Sequence, residues 1–299
     1  ANFMHENGFR NVSWSDATGW PPICHATLTG DAELIDEMLK LRADANDLTR
    51  GTLLLNVCTG LSPLHLAAIF RIPEVMQTLL AARADVHAQD TNFATPLHWA
   101  GLSNSRMGVR ILLEAQADLH SRDIFLFKPV HLASFYSSTH ALEEMLPHIA
   151  VATVPGVVNL AVLRPGCAAE ALFKLIENGA NIDERDGADD SLTVQMLLTT
   201  LTLKHRFSPS PLTRLAFHWP DASPLVRSII AGNFEASAVL ISAGARMQIQ
   251  NCRGKTALDL TQEISVPDWL RQGLAGDPAR CYEVADAFLH NLQGSTFSI

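Results

Sequence analysis

A pattern of apolar and polar positions recurs along the chain every 33 residues, as SPLHLAA at 62–68, TPLHWAG at 95–101 and KPVHLAS at 128–134. The first two copies are followed by PEVMQTLLAARADVHAQD at 73–90 and RMGVRILLEAQADLHSRD at 106–123, which carry apolar residues at helical spacing. A fixed period of this length predicts repeated supersecondary units.

Each unit is predicted to contain two short helices. Ser62 and Thr95 offer a side-chain oxygen as the N-cap of the first helix, and a proline follows at the position where its missing N–H costs nothing. Four apolar residues between 75 and 80 fall on one stripe of the second helix. Two short helices cannot bury that stripe alone, so neighbouring units must stack.

These registered copies resemble the ankyrin repeat, whose TPLHxAA…LL…GADVNA pattern they match over most of the chain. The resemblance implies an all-α ankyrin-repeat solenoid of helix-turn-helix units with short hairpin loops. Clear copies begin at Ser62, Thr95, Lys128, Ser223 and Thr256, and weaker copies begin at Pro21 and near Val158. Because 158 and 223 are about two periods apart, a further copy is expected near Ser191, which gives about eight units, some degenerate.

The repeats predict four regions along the chain. Residues 1–17 form an N-terminal extension, and 18–183 contain ankyrin repeats 1–5. Residues 184–222 are a degenerate repeat or an inserted functional element, and both interpretations stay open. Residues 223–299 contain repeats 7–8 and a C-terminal cap in which an amphipathic helix closes the end of the stack.

Certain positions depart from the pattern in ways that predict backbone strain. Gly179 and Gly244 stand where the resemblance places a left-handed helix C-cap, whereas Arg42, Arg83 and Gln116 stand there in other units. A non-glycine residue at such a position costs up to about 1 kcal/mol.

The recurring histidines His65, His98 and His131 are predicted to be structural. In successive units they would lie roughly 8–10 Å apart, whereas a metal ion needs nitrogens at about 2.0–2.1 Å. The resemblance implies instead that each imidazole forms hydrogen bonds near its own helix start and the neighbouring turn. The chain also has no GxSxG, HExxH or GxGxxG motif, so no catalytic residue, metal or cofactor is predicted.

The composition argues against some classes of partner and indicates the cellular compartment. A net charge of −9, with 22 Lys and Arg spread thinly, gives no basic stripe for nucleic acid. Five cysteines without a CxxC pair favour an intracellular, cytoplasmic setting, and an organelle reached after processing stays open. The longest charge-free apolar tract, 149–163, is broken by Pro155-Gly156 and is shorter than the roughly 20 residues of a spanning helix, so no transmembrane segment is predicted.

The resemblance also implies a concave groove lined by hairpin tips and first helices. The predicted partner-binding residues on it are Ile69, Phe70, Thr91, Asn92, Phe93, Leu102, Ile124, Phe125, Phe127, Phe135 and Tyr136. Phe93 and Leu126 replace the usual hairpin glycine. Exposed apolar patches of this kind mark interaction sites. The alternative is that Phe70 and 124–127 pack against Phe3, Phe9 and Trp14 of the N-terminal extension and belong to the core.

The predicted function is a non-catalytic protein–protein interaction module, an adaptor or scaffold whose partner is a segment of another protein, with several partners in a large complex also open. One alternative is a structural subunit of a multiprotein assembly, in which neighbours bury Leu53–Leu55, 124–127 and the chain ends. A second alternative is an enzyme or ligand-binding protein with a site in 184–222 that contains His205, Arg214 and His218.

Overall fold

The computed structural model describes residues 3–4, 9, 11–13, 15–16, 19–51, 59–164, 168–185, 201 and 210–294. Every regular element in these ranges is helical, as predicted. The α-helices are α1 (Pro22–Thr29), α2 (Ala32–Lys40), α3 (Pro63–Ile69), α4 (Pro73–Ala81), α5 (Pro96–Leu102), α6 (Arg106–Glu114), α7 (Pro129–Phe135), α8 (Thr139–Met145), α9 (Val157–Ala161), α10 (Ala168–Glu177), α11 (Pro211–His218), α12 (Pro224–Ala231), α13 (Phe234–Ser242), α14 (Ala257–Leu260), α15 (Asp268–Leu274) and α16 (Ala279–Gly294). Short 3₁₀ helices cover Leu146–His148 and Val151–Thr153.

The chain divides into two compact units, residues 1–133 and 134–299. In the first unit the helices pair as α1–α2, α3–α4 and α5–α6. The first helices of these pairs contact one another in order, and so do the second helices. Val75, Met76 and Leu79, on the stripe predicted to be buried, are 0% exposed. The same helix pair is therefore laid side by side, and each pair covers the apolar face of the next.

The ends of the helices follow the predicted local chemistry. Ser62 caps α3 by accepting a hydrogen bond from the His65 N–H, and Pro63 occupies the first helical position. At the other end of the second helices, Arg42, Arg83 and Gln116 have φ of +67°, +64° and +65°. These three residues adopt the left-handed conformation predicted from their register, although they carry a Cβ.

The N-terminal extension packs on the first helix pair. Phe9 and Trp20 are each 7% exposed, and their rings lie 5.3 and 5.5 Å from the His25 ring. Asp16 Oδ2 is 2.8 Å from His25 Nε2. The described residues Phe9 and Asp16 therefore pack against the first helix pair at His25.

In the second unit, the second helices α8, α10, α13 and α15 contact one another in order. The pair α9–α10 packs directly against the pair α12–α13, through α9 on α12 and α10 on α13. The Arg246 N–H donates to Asp183 Oδ1 at 2.8 Å. The corresponding bond in the first unit runs from the Asp85 N–H to Asn46 Oδ1 at 2.7 Å. The repeats that begin near 157 and 224 are thus neighbours in the stack.

Asn233 strengthens that junction between the two neighbouring repeats. Its side-chain amide donates to the Val162 carbonyl at 3.1 Å and to the Arg164 carbonyl at 2.9 Å. Seven helix pairs lie within the described ranges. The eighth, predicted near Ser191, falls mostly on residues outside them, and the same holds for Leu53–Leu55.

The C-terminal helix α16 contacts α10, α13 and α15, which are the second helices of three successive pairs. Cys281 and Ala285 on its inner face are 0% exposed. Gly273 of α15 lies so close that a Cβ placed there would overlap Cys281 Sγ. The buried face predicted from the amphipathic pattern is present, and it lies across these three helices.

Candidate functional site

Two successive hairpin tips, residues 90–94 and 123–127, form one continuous edge in the first unit. The Asp123 N–H donates to the Phe127 carbonyl at 3.0 Å and closes its tip, and Asp90 makes the same bond to Ala94 at 3.0 Å. The Ile124 N–H then donates to the Asn92 carbonyl of the preceding tip at 2.8 Å. Backbone hydrogen bonds therefore fix the two tips side by side.

Four large apolar side chains project from these two tips, and we call them the tip surface. Phe93, Ile124, Phe125 and Leu126 remain 53, 39, 43 and 37% exposed. Phe125 also lies 6.2 Å, between ring centroids, from the half-buried ring of Phe127. Apolar residues clustered on adjoining loops are more informative than single exposed ones, since contiguous apolar surface marks interaction sites.

The backbone under the tip surface is strained at two positions. Phe93 has φ +59° and Leu126 has φ +64°, whereas Gly60 and Gly254 occupy the left-handed position of other tips at φ +72° and +69°. A residue with a Cβ pays roughly 1–2 kcal/mol for this conformation. The same conformation occurs at Arg42, Arg83 and Gln116, so it points to a function here only together with the exposed apolar side chains.

Buried carboxylates hold the two tips in shape. Asp123 Oδ1 accepts the N–H groups of Phe125 and Phe127, each at 2.9 Å. Asp90 Oδ1 accepts those of Asn92 and Ala94 at 2.7 and 3.0 Å. Burial raises the pKa of Asp123 to about 6 and also raises the pKa of Asp90. These positioning roles were not predicted from the sequence, although both aspartates occupy the same place in the repeat.

The recurring histidines link each unit to the next tip. His98 Nδ1 accepts the Thr95 N–H at 3.1 Å, and its Nε2 donates to the Phe127 carbonyl at 3.0 Å. His65 Nε2 makes the equivalent bond to the Ala94 carbonyl at 3.0 Å. Burial lowers the pKa of both imidazoles to about 4, which keeps them neutral near pH 7. The predicted structural role of His65 and His98 is confirmed.

His131 follows the same rule, because its Nδ1 accepts the Lys128 N–H at 2.9 Å. Within the part of the chain that the structure describes, no group of three or more His, Cys, Asp or Glu residues has the geometry to hold a metal ion.

The other predicted groove residues of the first unit are exposed to different degrees. Phe70, at the end of α3, is 47% exposed. Thr91 is exposed, and its hydroxyl donates to the Thr59 carbonyl at 3.1 Å. Ile69, Asn92 and Leu102 are half-buried. Phe70 and Thr91 therefore offer accessible surface beside the tips, whereas the half-buried residues offer only part of theirs.

Phe135 and Tyr136 lie in the second unit and form a local aromatic pair. Their ring centroids are 5.2 Å apart in an edge-to-face arrangement, and the Arg164 guanidinium lies 5.1 Å from the Tyr136 ring. Tyr136 remains 41% exposed. These contacts hold Tyr136 in place while leaving part of its ring accessible.

The described residues of the N-terminal extension leave much of the predicted surface exposed. Phe70, Ile124 and Phe125 keep 47, 39 and 43% of their surface exposed, while Phe9 of the extension packs on His25. Trp14 lies outside the described residues. The alternative in which Phe70 and the 124–127 tip become core against the extension is therefore wrong for these three residues.

Two of the residues named for an enzyme site, Arg214 and His218, lie on α11. His218 is 3% exposed, and its ring nitrogens lie 3.2 Å from Asn251 Nδ2 and 3.5 Å from Glu263 Oε2. These contacts tie α11 to the next hairpin and to the residues after α14. Arg214 is half-buried on α11, and His205 lies outside the described residues.

A comparison with known protein families identifies the type of repeat. A family model described as ankyrin repeats, in three copies, matches residues 23–123. That range covers the helix pairs from α1 to α6, apart from Pro22, and the first tip of the candidate surface. The second tip lies beyond it, except for Asp123. Residues 23–123 contain ankyrin repeats. The resemblance deduced from the TPLH-type motifs is thereby confirmed.

Solved ankyrin-repeat domains share the fold over most of the chain. The crystal structure of the human ASB11 ankyrin repeat domain is 22% identical, with a TM-score of 0.61, and covers 86% of this chain and 97% of its own. The ankyrin repeat domain of Bcl-3, described as a unique member of the IkappaB protein family, is 20% identical, with a TM-score of 0.59, and covers 86% of this chain and 99% of its own. The all-α ankyrin-repeat solenoid is therefore the fold of this protein.

Among curated protein sequences, none matches the chain. In the described part of the ankyrin-repeat chain, no helix combines the length and the apolar character needed to cross a membrane.

Proposed function

We propose that this ankyrin-repeat chain is a non-catalytic adaptor or scaffold that binds a segment of another protein. Ankyrin repeats are generally protein–protein interaction modules. The proposed binding site is the tip surface of the first unit, extended by Phe70 and the neighbouring groove residues. The observation that carries this proposal is the exposure of Phe93, Ile124, Phe125 and Leu126 on two tips joined by a backbone hydrogen bond.

The energetics of the tips support a binding role. Phe93 and Leu126 leave much of their apolar surface in water and occupy a backbone conformation that glycine adopts at lower cost. Neither feature contributes to folding. Both features are useful to a rigid platform that buries aromatic and aliphatic side chains against a partner, because a preorganised surface loses less entropy on binding.

An intracellular setting forms part of the same proposal. Cys24 and Cys281 are buried free thiols, which fits a reducing compartment.

The proposal predicts that the double variant Phe93→Gly/Leu126→Gly loses binding without losing stability. Glycine relieves the left-handed strain, so we expect the free energy of unfolding to stay unchanged or to rise by up to about 1 kcal/mol. Loss of two large apolar contacts should weaken partner binding at least tenfold, about 1.4 kcal/mol. The measurements are urea denaturation and quantitative affinity capture from cells.

Met107→Ala provides the matched control for this experiment. Met107 is 45% exposed on α6, away from the tips, and its truncation removes a comparable exposed side chain. This variant should capture the same proteins as wild type. The proposal is wrong if the glycine variant is stably folded and still captures the same proteins in the same amounts.

A further inference from the structure

We propose that the segment bound by the tip surface is acidic as well as apolar, and that its carboxylates pair with Arg122 and Lys128. This inference rests on the proposed function, because it specifies the chemistry of the partner at the same surface. The observations that support it are the arrangement of charges at the base of the 123–127 tip and the residue type at the start of α7.

Arg122 and Lys128 are the residues on either side of the 123–127 tip. The bond from the Asp123 N–H to the Phe127 carbonyl, 3.0 Å long, closes the tip, so the residues immediately outside that pair flank its base. Arg122 is exposed and Lys128 is half-buried. Two cations therefore stand next to Ile124, Phe125 and Leu126 of the tip surface.

Other tips carry no such pair of cations. The Asp90 to Ala94 bond places Gln89 opposite Thr95 at the base of the preceding tip. The equivalent bond from the Asn251 N–H to the Lys255 carbonyl places Gln250 opposite Thr256. Among these three tips, only 123–127 has charged residues at both positions of its base. It is also the tip with the most exposed large apolar side chains.

The two cations repel each other in the unbound protein. Like charges directly opposite each other across a hairpin are destabilising. The pKa of the Lys128 ammonium is lowered, first by burial and then by the Arg122 charge, while the Asp118 carboxylate acts in the opposite direction. The Asp118 carboxylate offsets part of this repulsion, while the Asp90 and Asp123 carboxylates are engaged by backbone N–H groups inside the two tips. An incoming carboxylate would remove this repulsion.

Lys128 also occupies a position where other units place a helix cap. Ser62, Ser223 and Thr256 accept a backbone N–H at the starts of α3, α12 and α14. A lysine side chain has no hydrogen-bond acceptor, so it cannot supply this bond. Replacing a capping side chain by one that cannot accept this bond typically costs about 1 kcal/mol. A cation placed there at the expense of stability indicates a role in binding.

A protein segment fits this surface better than an anionic membrane does. Basic residues near an anionic bilayer contribute about 1 kcal/mol each, so two cations by themselves supply little affinity for a membrane. In contrast, two charge pairs around an apolar centre match the usual anatomy of a protein interface, in which a polar rim surrounds buried aromatic anchors.

The test is selection of binders from a random displayed peptide library on three forms of the full chain: wild type, Arg122→Glu/Lys128→Glu and Phe93→Gly/Leu126→Gly. Peptides enriched by wild type should contain more Asp and Glu than the input library, together with aromatic or large aliphatic residues. The charge-reversed variant should lose the acidic enrichment. Its affinity for the most enriched wild-type peptide, measured by fluorescence anisotropy, should fall about tenfold or more.

Lys128→Thr separates binding from folding in this experiment. Threonine restores the helix cap, so this variant should be more stable than wild type by about 0.5–1 kcal/mol. It should nevertheless bind the enriched acidic peptide more weakly, because one cation is gone. Arg42→Glu/Arg83→Glu, with the same change in net charge at two exposed loop positions away from the tip, should bind that peptide like wild type.

Each other outcome contradicts a particular part of the account. Enriched peptides that are neutral or basic, but are lost in the Phe93→Gly/Leu126→Gly variant, would overturn the acidic partner and leave the proposed binding surface standing. No enrichment, or enrichment that the glycine variant retains, would overturn the proposed function itself. Binding to phosphatidylserine vesicles that disappears on charge reversal would assign the cations to a membrane and overturn the protein partner.

Discussion

Replacing His98 by leucine will lower the free energy of unfolding by about 3 kcal/mol. Leucine fills most of the space of the imidazole but makes neither of its two hydrogen bonds. The Thr95 N–H and the Phe127 carbonyl, now 3.1 and 3.0 Å from the ring nitrogens, would lose their partners at a site where His98 is 0% exposed. Each buried polar group left unsatisfied costs about 1–3 kcal/mol. The measurement is urea denaturation at neutral pH.

His120→Leu is the matched control, because His120 is an exposed histidine in the loop that follows α6. Surface substitutions of this kind usually change stability by less than about 0.5 kcal/mol. If the two leucine variants unfold at the same urea concentration, the bonds from His98 to Thr95 and Phe127 make no net contribution, and the structural role of the recurring histidines is wrong.

Acidification will destabilise the protein through the same histidines. Burial lowers the pKa of His65 and His98 from 6.5 to about 4, so the unfolded chain binds more protons than the folded one between these values. Their stabilising contribution is complete above the unfolded value and is lost as the pH falls toward the folded value. At about pH 5 the two imidazoles together should have lost about 4 kcal/mol relative to about pH 8.

Asp123 partly offsets this loss of stability at low pH. Its pKa is raised by burial from 3.8 to about 6, so its carboxyl group stabilises the fold as the pH falls, by about 1.4 kcal/mol at about pH 5. The net loss of stability should therefore be about 2–3 kcal/mol. This is an upper value, because the raised pKa of Asp90 offsets the loss in the same direction as that of Asp123. Urea denaturation at both pH values measures it. Asp123→Asn should steepen the loss, and a pH-independent stability would contradict the assignment of neutral buried histidines.

The local structure of the repeats could be predicted from the sequence because each feature depends on a few neighbouring residues. Ser62 followed by Pro63 specifies a capped helix start, and the register of Gln116 specifies a left-handed turn, found at φ +65°. The spacing of His65 and His98 likewise predicted a repeated hydrogen-bonding role, and both rings bond to the next tip. These predictions needed only helix geometry and the period of the pattern.

Contacts between distant segments could not be predicted in the same way. The direct packing of α9–α10 on α12–α13 joins residues about two periods apart, and the intervening sequence carries no motif that would reveal this. The amphipathic pattern of α16 predicts a buried face but does not indicate which helices cover it. In the structure these are α10, α13 and α15.

The candidate site was predictable only in part. Phe93, Ile124 and Phe125 were expected on the surface, because they stand where the repeat places its hairpins, and they are exposed. Leu126 was recognised as a replacement for glycine but was not predicted as a contact residue. Arg122 and Lys128 are six positions apart in the sequence. That spacing alone does not show that the two residues flank the base of one tip.

The central claim, that the tip surface is where a partner protein binds, is tested most directly by photo-crosslinking. A photoreactive phenylalanine analogue would replace Phe125 on the tip or, as the matched control, Met107 on α6, which is exposed to a similar extent at 45% against 43%. We predict covalent adducts with a partner protein from position 125, abolished by Phe93→Gly/Leu126→Gly, and none from position 107. Equal adducts from both positions, or adducts from position 107 alone, would contradict the account.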